Sequence, residues 1–205
     1  QWMHKVLKRK KIDIQTSTIA NEIEDEYILV SIGVEGNSNG FGLESIGVEV
    51  GENQHIKVNE NGQTNIDNIY AVGDVTGPPW LAHVSSSEGL YVVENITNLN
   101  PKKIDYDCIP ACTYSKPEIG SIGLDQKALD DKGVHYKIAK SFFNANGRAV
   151  ASGSTDGFIK ILVSDDNLIL GAHIIGSNAT EMISEFSLAM SNQLTVENIL
   201  SSVHP

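Results

Sequence analysis

The chain has 205 residues, of which 40% are hydrophobic, 6% aromatic and 20% charged, an ordinary globular composition with room for one or two domains. Its 26 acidic residues outnumber 15 basic ones, and the formal net charge of -11 argues against nucleic-acid binding, which depends on clustered basic residues. No apolar run approaches the roughly 18 residues of a membrane span, and the first residues do not resemble a signal peptide. We therefore expect no membrane partner and a cytoplasmic location.

The first third of the chain has the pattern of the end of an α/β layer. Residues 6–11 look like the last turn of a helix, with lysines over its negative end. Residues 12–16 alternate like an exposed strand, and residues 21–26 form an acidic surface loop. Residues 27–33 are continuously apolar, as in a parallel strand that is covered on both faces. The Gly, Asn and Ser residues of 34–39 then predict a hinge.

The next stretch places an acid at the end of a predicted strand. Residues 68–75 are β-branched and aromatic until they reach Gly73 and Asp74, where side chains become too small or too polar to continue the packing. Ligands of α/β sheets bind at the carboxyl ends of strands, where a carboxylate can accept hydrogen bonds from the hydroxyls of a sugar or ribitol chain. A helix predicted over residues 84–96 directs its positive end to the same place.

The last hundred residues predict an α+β domain with an antiparallel sheet and helices on one face. Asp125 is a candidate N-cap, and the acidic turn at residues 165–167 joins two strands in a hairpin. The predicted strands are 119–123, 134–140, 157–163 and 168–176, and the predicted helices are 126–132, 179–190 and one that opens at Thr195.

The two cysteines, Cys108 and Cys112, are better interpreted as free thiols at the start of a strand than as a redox pair, because no helix N-terminus is available to lower a thiol pKa. His173 lies between apolar neighbours in a predicted strand, and no second ligand follows at a productive spacing. We therefore predict no metal site.

Four motifs, in this order along the chain, resemble the C-terminal half of the pyridine nucleotide-disulfide oxidoreductases. Within that family, Leu81-Ala82-His83 followed by Glu88-Gly89 resembles the dihydrolipoyl dehydrogenases. The four motifs are residues 28–33, 68–74, 114–119 and 171–176.

The resemblance implies a homodimer that binds FAD and NAD and serves 2-oxoacid dehydrogenase complexes. Residues 1–35 would be the end of the NAD-binding domain, residues 36–104 the returning FAD-binding and central segments, and residues 105–205 the dimerisation (interface) domain. The fold implied is an α/β remnant over about 1–104, followed by the α+β domain. In such an enzyme dihydrolipoamide reduces a cysteine pair, electrons pass to FAD, and hydride passes to NAD. Because the phosphate-binding G-x-G-x-x-G loop and that cysteine pair are not in this sequence, we expect the fragment to be inactive.

The resemblance also assigns cofactor contacts. Asp74 would hold the FAD ribitol, and Gly73 would let the backbone approach it. Gly33 would lie at the nicotinamide, and Ile19 would contact the adenine of NAD. Residues expected to line the flavin, chiefly through backbone groups and the helix dipole, are Trp80, Leu81, Ala82 and His83.

The catalytic base of the family is a His directly before Pro, which acts across the dimer and is oriented by a Glu a few residues later. His204 precedes Pro205 and is a candidate for this base. Helix length favours a different register, in which His204 matches the first His of the family's H-A-H-P motif and the catalytic His follows Pro205. The orienting Glu is missing in either register.

Two alternatives stay open at this point. One is another disulfide reductase of the family, of the glutathione or mercuric reductase type. The other is a stand-alone dimerisation module over residues 105–205 that binds no ligand.

Overall fold

The computed structural model describes residues 2–20 and 23–204. Gln1 and Pro205 lie outside the described residues, as do Asn21 and Glu22 of the predicted acidic loop. The chain divides into two compact units, residues 1–35 and residues 36–205. The helices are α1 Trp2–Arg9, α2 Ala82–Ile96, α3 Gln126–Asp131, α4 Gly147–Ala151, α5 Ala179–Ser191 and α6 Val196–Ser201, and the strands are β1 Ala111–Thr113, β2 Glu118–Gly123, β3 Lys137–Phe142, β4 Phe158–Val163 and β5 Ile169–Gly176.

The first unit contains the predicted helix but neither of its predicted strands. α1 ends on Lys8 and Arg9, as the basic residues suggested. Residues 12–16, exposed except for half-buried Ile14, and residues 27–33, all exposed, pair with no strand, so these two strand predictions are wrong. Leu29, for example, is 93% exposed. An apolar run becomes a strand only where neighbouring strands take up its backbone hydrogen bonds, and the described part of this unit offers no such neighbour.

The second unit begins with irregular chain that leads to α2. The Asn61-Gly62 pair lies in a tight turn, where the Gly62 N–H donates to the Asn59 carbonyl and Gly62 has a φ of 71°. The strand predicted over residues 68–75 is wrong. Asn68 has a φ of 66°, Val72 is extended, and the segment makes a single bridge, between Tyr70 and Gln63, because no full strand runs alongside it.

The antiparallel sheet of the second unit is confirmed. Its strand order is β1-β2-β5-β4-β3, and every neighbouring pair is antiparallel. The hairpin predicted around residues 165–167 joins β4 to β5, with a register shift between Leu162 and Val163. Asn167 adopts a φ of 63° in the turn.

Helix α5 packs on β2 and β5 and forms the main core with them. The predicted caps are confirmed: Asp125 accepts a hydrogen bond from the Ala128 N–H at the start of α3, and Thr195 forms a capping box at the start of α6. The α+β class of this part of the chain is therefore confirmed. The buried core residues are Ile122, Ile169, Ala172, Ile174, Ala179, Ile183, Phe186 and Ala189.

Candidate functional site

The site is built on a 3-10 turn, Gly73–Thr76, that lies against the first turns of α2. Gly73 is buried and has a φ of 78°, a conformation that favours glycine. A Cβ at this position would lie 2.8 Å from the Ser85 Oγ atom, so glycine is also required by the close approach. The Thr76 hydroxyl donates to the Gly73 carbonyl at 2.8 Å and closes the turn.

Asp74 follows Gly73 in the turn, and its side chain is exposed. Its carboxylate makes no hydrogen bond or ion pair with another residue of the described ranges. The nearby N-terminus of α2 has no side-chain cap and no acidic residue in its first turn. Because the first N–H groups of a helix have no intrahelical acceptor, those of Ala82 and His83 are available as donors.

The Asp74 carboxylate and the α2 terminus carry opposite charge, and they offer opposite hydrogen-bonding groups. The Asp74 carboxylate can only accept hydrogen bonds when it is ionised, whereas the α2 terminus presents donors and the positive end of a helix dipole. A ligand that suits the pair carries hydroxyl donors at one point and an anionic or carbonyl oxygen at another. The sequence predicted both features, although not the turn on which Asp74 is held.

Trp80 precedes α2 and is 42% exposed. Its ring lies 6.2 Å from the ring of His55, centroid to centroid, with 35° between the planes. The His55 Nε2 atom is buried and has no hydrogen-bond partner within the part of the chain that the structure describes. Leu81 is half-buried, whereas Ala82 is exposed.

His83 has a structural contact that the sequence did not reveal. Its Nε2 atom donates to the Pro110 carbonyl at 2.9 Å, which fixes Nε2 as the protonated nitrogen. This bond ties the first turn of α2 to the chain that enters β1. The His83 ring therefore holds the Pro110 backbone against α2. The interpretation that His83 acts on a flavin mainly through its backbone groups stays a prediction.

Glu88 is the residue that the sequence prediction missed. One of its carboxylate oxygens accepts from the Gly73 N–H at 2.7 Å, and the other accepts from the Tyr106 hydroxyl at 2.7 Å. Burial, together with this bond to the carboxylate, raises the pKa of Tyr106 to about 12. Glu88 thus clamps the Gly73 turn and the segment of Tyr106 to α2. The partners lie 15 and 18 residues away, and no local sequence pattern signals such a contact.

The two cysteines carry free thiols. Burial, with a smaller effect of the neighbouring Asp105, raises the pKa of Cys108 to about 11. Burial also raises the pKa of Cys112. Both groups are protonated at neutral pH, and thiols react as thiolates, so neither is poised for redox chemistry.

The predicted NAD contacts, Gly33 and Ile19, belong to the first unit. Ile19 is 84% exposed, and Gly33 is exposed with a φ of 131°. Their roles stay predictions.

His204 is exposed near the end of the described chain, and its Nε2 atom lies 2.6 Å from Glu185 Oε1 of α5. This hydrogen bond to a carboxylate raises the pKa of His204. His204 is therefore oriented by a Glu, but this Glu185 lies in α5, before His204 in the chain, and not a few residues after it. Pro205, on which the choice of register depends, lies outside the described residues, and the catalytic role of His204 stays a prediction.

His173 is half-buried in β5, where its Nε2 atom bonds the Leu124 carbonyl and burial lowers its pKa. Within residues 2–20 and 23–204, no group of three or more His, Cys, Asp or Glu side chains is arranged to hold a metal ion. Over the same residues, no helix combines the length and the apolar character that crossing a membrane requires.

Comparison with known families accounts for both parts of the chain. Residues 1–89 match the sequence profile described as pyridine nucleotide-disulphide oxidoreductase, and residues 109–205 match the dimerisation domain of the same family. The chain belongs to the pyridine nucleotide-disulphide oxidoreductase family. The motif order along the sequence, from which this family was inferred, is thereby supported.

Curated relatives within the family share a name. The chain is 36% identical over 221 residues to a dihydrolipoyl dehydrogenase of Geobacillus stearothermophilus, covering 98% of this chain and 47% of that protein. It is 44% identical over 181 residues to a dihydrolipoyl dehydrogenase of Bacillus subtilis, covering 88% of this chain and 38% of that protein. The chain thus spans less than half the length of these relatives.

Solved structures of the family share the fold. LpdA of Mycobacterium tuberculosis superposes with a TM-score of 0.79 and 26% identity, over 83% of this chain and 38% of that one. An HOCl-induced flavoprotein disulfide reductase of Escherichia coli superposes with a TM-score of 0.75 over 83% of this chain and 40% of that one. At 22% identity, the second likeness concerns the fold alone.

Proposed function

We propose that this chain supplies the ribitol and pyrimidine side of an FAD site, together with the dimerisation domain, of an enzyme of the dihydrolipoyl dehydrogenase type. The complete enzyme would oxidise dihydrolipoamide to lipoamide and reduce NAD. The observation that carries the proposal is the exposed Asp74 carboxylate beside the uncapped N-terminus of α2. Family membership and the names of the relatives support the same reaction.

The residues at this site fit FAD. Asp74 offers an acceptor for ribitol hydroxyls, and the Ala82 and His83 N–H groups offer donors to the pyrimidine oxygens. The positive end of the α2 dipole stabilises negative charge at that side of the ring. Held by these residues, FAD would supply two-electron transfer between the thiol pair of the complete enzyme and NAD. Glu88 and His83 keep the turn and the helix start in place.

The remaining assignments extend the proposal. Residues 1–35 would close the NAD-binding domain through Gly33 and Ile19, and residues 36–104 would be the returning FAD-binding and central segments. Residues 105–205 would join two subunits. Light scattering on the purified chain tests this, because a dimer has twice the molar mass of one chain. The complete enzyme would be attached to a 2-oxoacid dehydrogenase complex and would lie in the cytoplasm.

The 205-residue chain by itself would not catalyse the reaction. Its sequence contains no G-x-G-x-x-G loop, and its two thiols are protonated at neutral pH because burial raises their pKa values. Each of the two relatives is more than twice as long as the segment of it that this chain matches. The missing half of the FAD site would then come from chain outside this sequence.

The test is a chimera in which residues 36–205 replace the matching segment of the Bacillus subtilis relative. Asp74→Asn should raise the dissociation constant for FAD about tenfold or more, because a hydrogen bond to a charged group contributes about 1.5–3 kcal/mol. Asp67→Asn is the matched control, since Asp67 is also exposed but lies in the preceding turn. A folded chimera that holds no flavin, or one in which both variants bind FAD equally well, would contradict the proposal.

A further inference from the structure

The sequence contains three Asn-Gly pairs, which share the same reactive chemistry. Because glycine has no Cβ, its backbone nitrogen can approach the side-chain amide carbon of a preceding Asn with little steric hindrance. Asparagine is for this reason among the chemically labile residues of proteins. The pairs are Asn39-Gly40, Asn61-Gly62 and Asn146-Gly147.

The Asn61-Gly62 pair is held in its turn from both sides. The Tyr91 hydroxyl donates to Asn61 Oδ1 at 3.2 Å, and the Gly62 N–H donates to the Asn59 carbonyl at 3.0 Å. The Gly62 backbone also lies so close to Val92 that an added Cβ would come within 2.6 Å of that side chain. Attack by the Gly62 nitrogen therefore requires that the turn open first.

The Asn146-Gly147 pair is held by its position at a helix start. Asn146 is the N-cap of α4, and its Oδ1 atom accepts from the Ala149 N–H at 3.0 Å. This bond points the amide into the helix, away from the following backbone nitrogen. Reaction at this pair requires loss of the cap.

The Asn39-Gly40 pair differs from the other two. Both residues are exposed, and neither the Asn39 side chain nor the Gly40 N–H is hydrogen-bonded to another residue that the structure describes. An added Cβ at Gly40 would meet no atom within 4 Å. The chain just before the pair is fixed, because buried Ser38 donates to the Gln54 carbonyl at 2.8 Å. The pair therefore projects into solvent from an anchored base.

We propose that Asn39 is a site of spontaneous deamidation and isoaspartate formation in the folded protein. The Gly40 nitrogen attacks the Asn39 Cγ atom, a new C–N bond forms, and the side-chain amide leaves as ammonia. Water then opens the resulting cyclic imide to either aspartate or isoaspartate, with no oxidant or reductant required. Either product adds one negative charge to a chain of formal charge -11, and isoaspartate lengthens the backbone just after the boundary at Glu35 and Gly36.

The experiment follows all three pairs in one sample. The purified chain is incubated at mildly alkaline pH and body temperature, cleaved with a Glu-specific protease that releases residues 36–44, and analysed by mass spectrometry. An isoaspartyl methyltransferase labels the isoaspartate fraction. Because the other pairs must open before they react, we expect Asn39 to react about tenfold faster than either of them. The same chain in denaturant should lose this preference.

Two variants and one control variant assign the product to the Asn39-Gly40 pair. Gly40→Ala should slow conversion of Asn39 about tenfold by shielding the nucleophile, with local backbone strain because Gly40 has a φ of 83°. Gly147→Ala, whose added Cβ also meets no atom within 4 Å, should leave conversion of Asn39 unchanged. Asn39→Gln should remove the product from residues 36–44, and circular dichroism shows that each variant is folded. Equal rates at the three pairs in the native chain, or a Gly40→Ala variant that converts as fast as the unaltered chain, would overturn the proposal.

Discussion

At the scale of single residues, Glu88 holds the Gly73 turn in place against α2. Glu88→Ala leaves the buried Gly73 N–H without its acceptor, so we expect the free energy of unfolding to fall by about 1–3 kcal/mol. The pKa of Tyr106 should fall from about 12 but stay above its ordinary value, because burial is the larger cause of its shift. Urea unfolding and titration of the phenolate absorbance measure the two effects.

The matched control for this change is Glu94→Ala, in the same helix but away from the Gly73 turn. Glu94 is half-buried, as Glu88 is, but its carboxylate does not bond the Gly73 turn. Glu94→Ala should therefore change the free energy of unfolding by no more than a few tenths of a kcal/mol and leave the pKa of Tyr106 essentially unchanged. Equal destabilisation by the two variants would mean that Glu88 acts only as a helix residue.

The bond between His204 and Glu185 predicts a dependence on pH. Its carboxylate raises the pKa of His204, so Glu185→Gln should lower that pKa, while Glu181→Gln on the same helix should not. NMR titration of the imidazole measures the shift. The pKa of His204 is higher in the folded chain than the value of about 6.5 expected in the unfolded chain. The contact therefore stabilises the chain end fully below about pH 6.5, and this stabilisation is lost as the pH rises through the folded-state pKa. An unchanged pKa in Glu185→Gln would show that the pair does not form.

Residues whose role is local were predictable from the sequence, and residues that act at long range were not. Gly73 and Asp74 stand out because small and acidic residues interrupt an apolar run, and Asp125 and Thr195 because they precede helical patterns. The clamp by Glu88 and the anchor of His83 on Pro110 join segments that are 15 or more residues apart. Such contacts depend on the fold, which periodicity does not encode.

At the scale of elements, the packing of α5 on the sheet is the main source of stability in the second unit. Ile183 is 1% exposed and lies in the core with Ile122 and Ile174. Ile183→Ala should lower the free energy of unfolding by about 2–5 kcal/mol, the usual cost of removing a large aliphatic side chain from a core. Urea unfolding measures it, and exposed Ser184→Ala is the control. A change below about 1 kcal/mol would contradict the proposed core.

Apart from the short helix α4, which was not predicted, the helices and antiparallel strands of the described residues were predicted correctly, whereas the parallel strands were not. A helix satisfies its backbone within its own residues, and a hairpin brings its own partner, so α5 and the pair of β4 and β5 follow from local pattern. A parallel strand needs neighbours from distant parts of a chain. Residues 27–33 have the apolar pattern of such a strand but no neighbour among the described residues, and they lie extended and exposed.

At the scale of the whole molecule, the two family profiles and the proposed site point to one role for the chain. In the proposed enzyme, the α2 terminus and Asp74 would face a cofactor whose phosphate-binding loop is not in this sequence. The α+β domain matches a dimerisation domain. The proposed enzyme therefore divides its chemistry between this chain and residues outside it.

The measurement that tests this account most directly is dihydrolipoamide-dependent formation of NADH. The chimera of residues 36–205 with the Bacillus subtilis relative should form NADH, while the 205-residue chain alone should not. NADH formation by the chain alone would contradict the division of the active site. A folded, flavin-loaded chimera that reduces glutathione disulfide instead of oxidising dihydrolipoamide would contradict the proposed reaction.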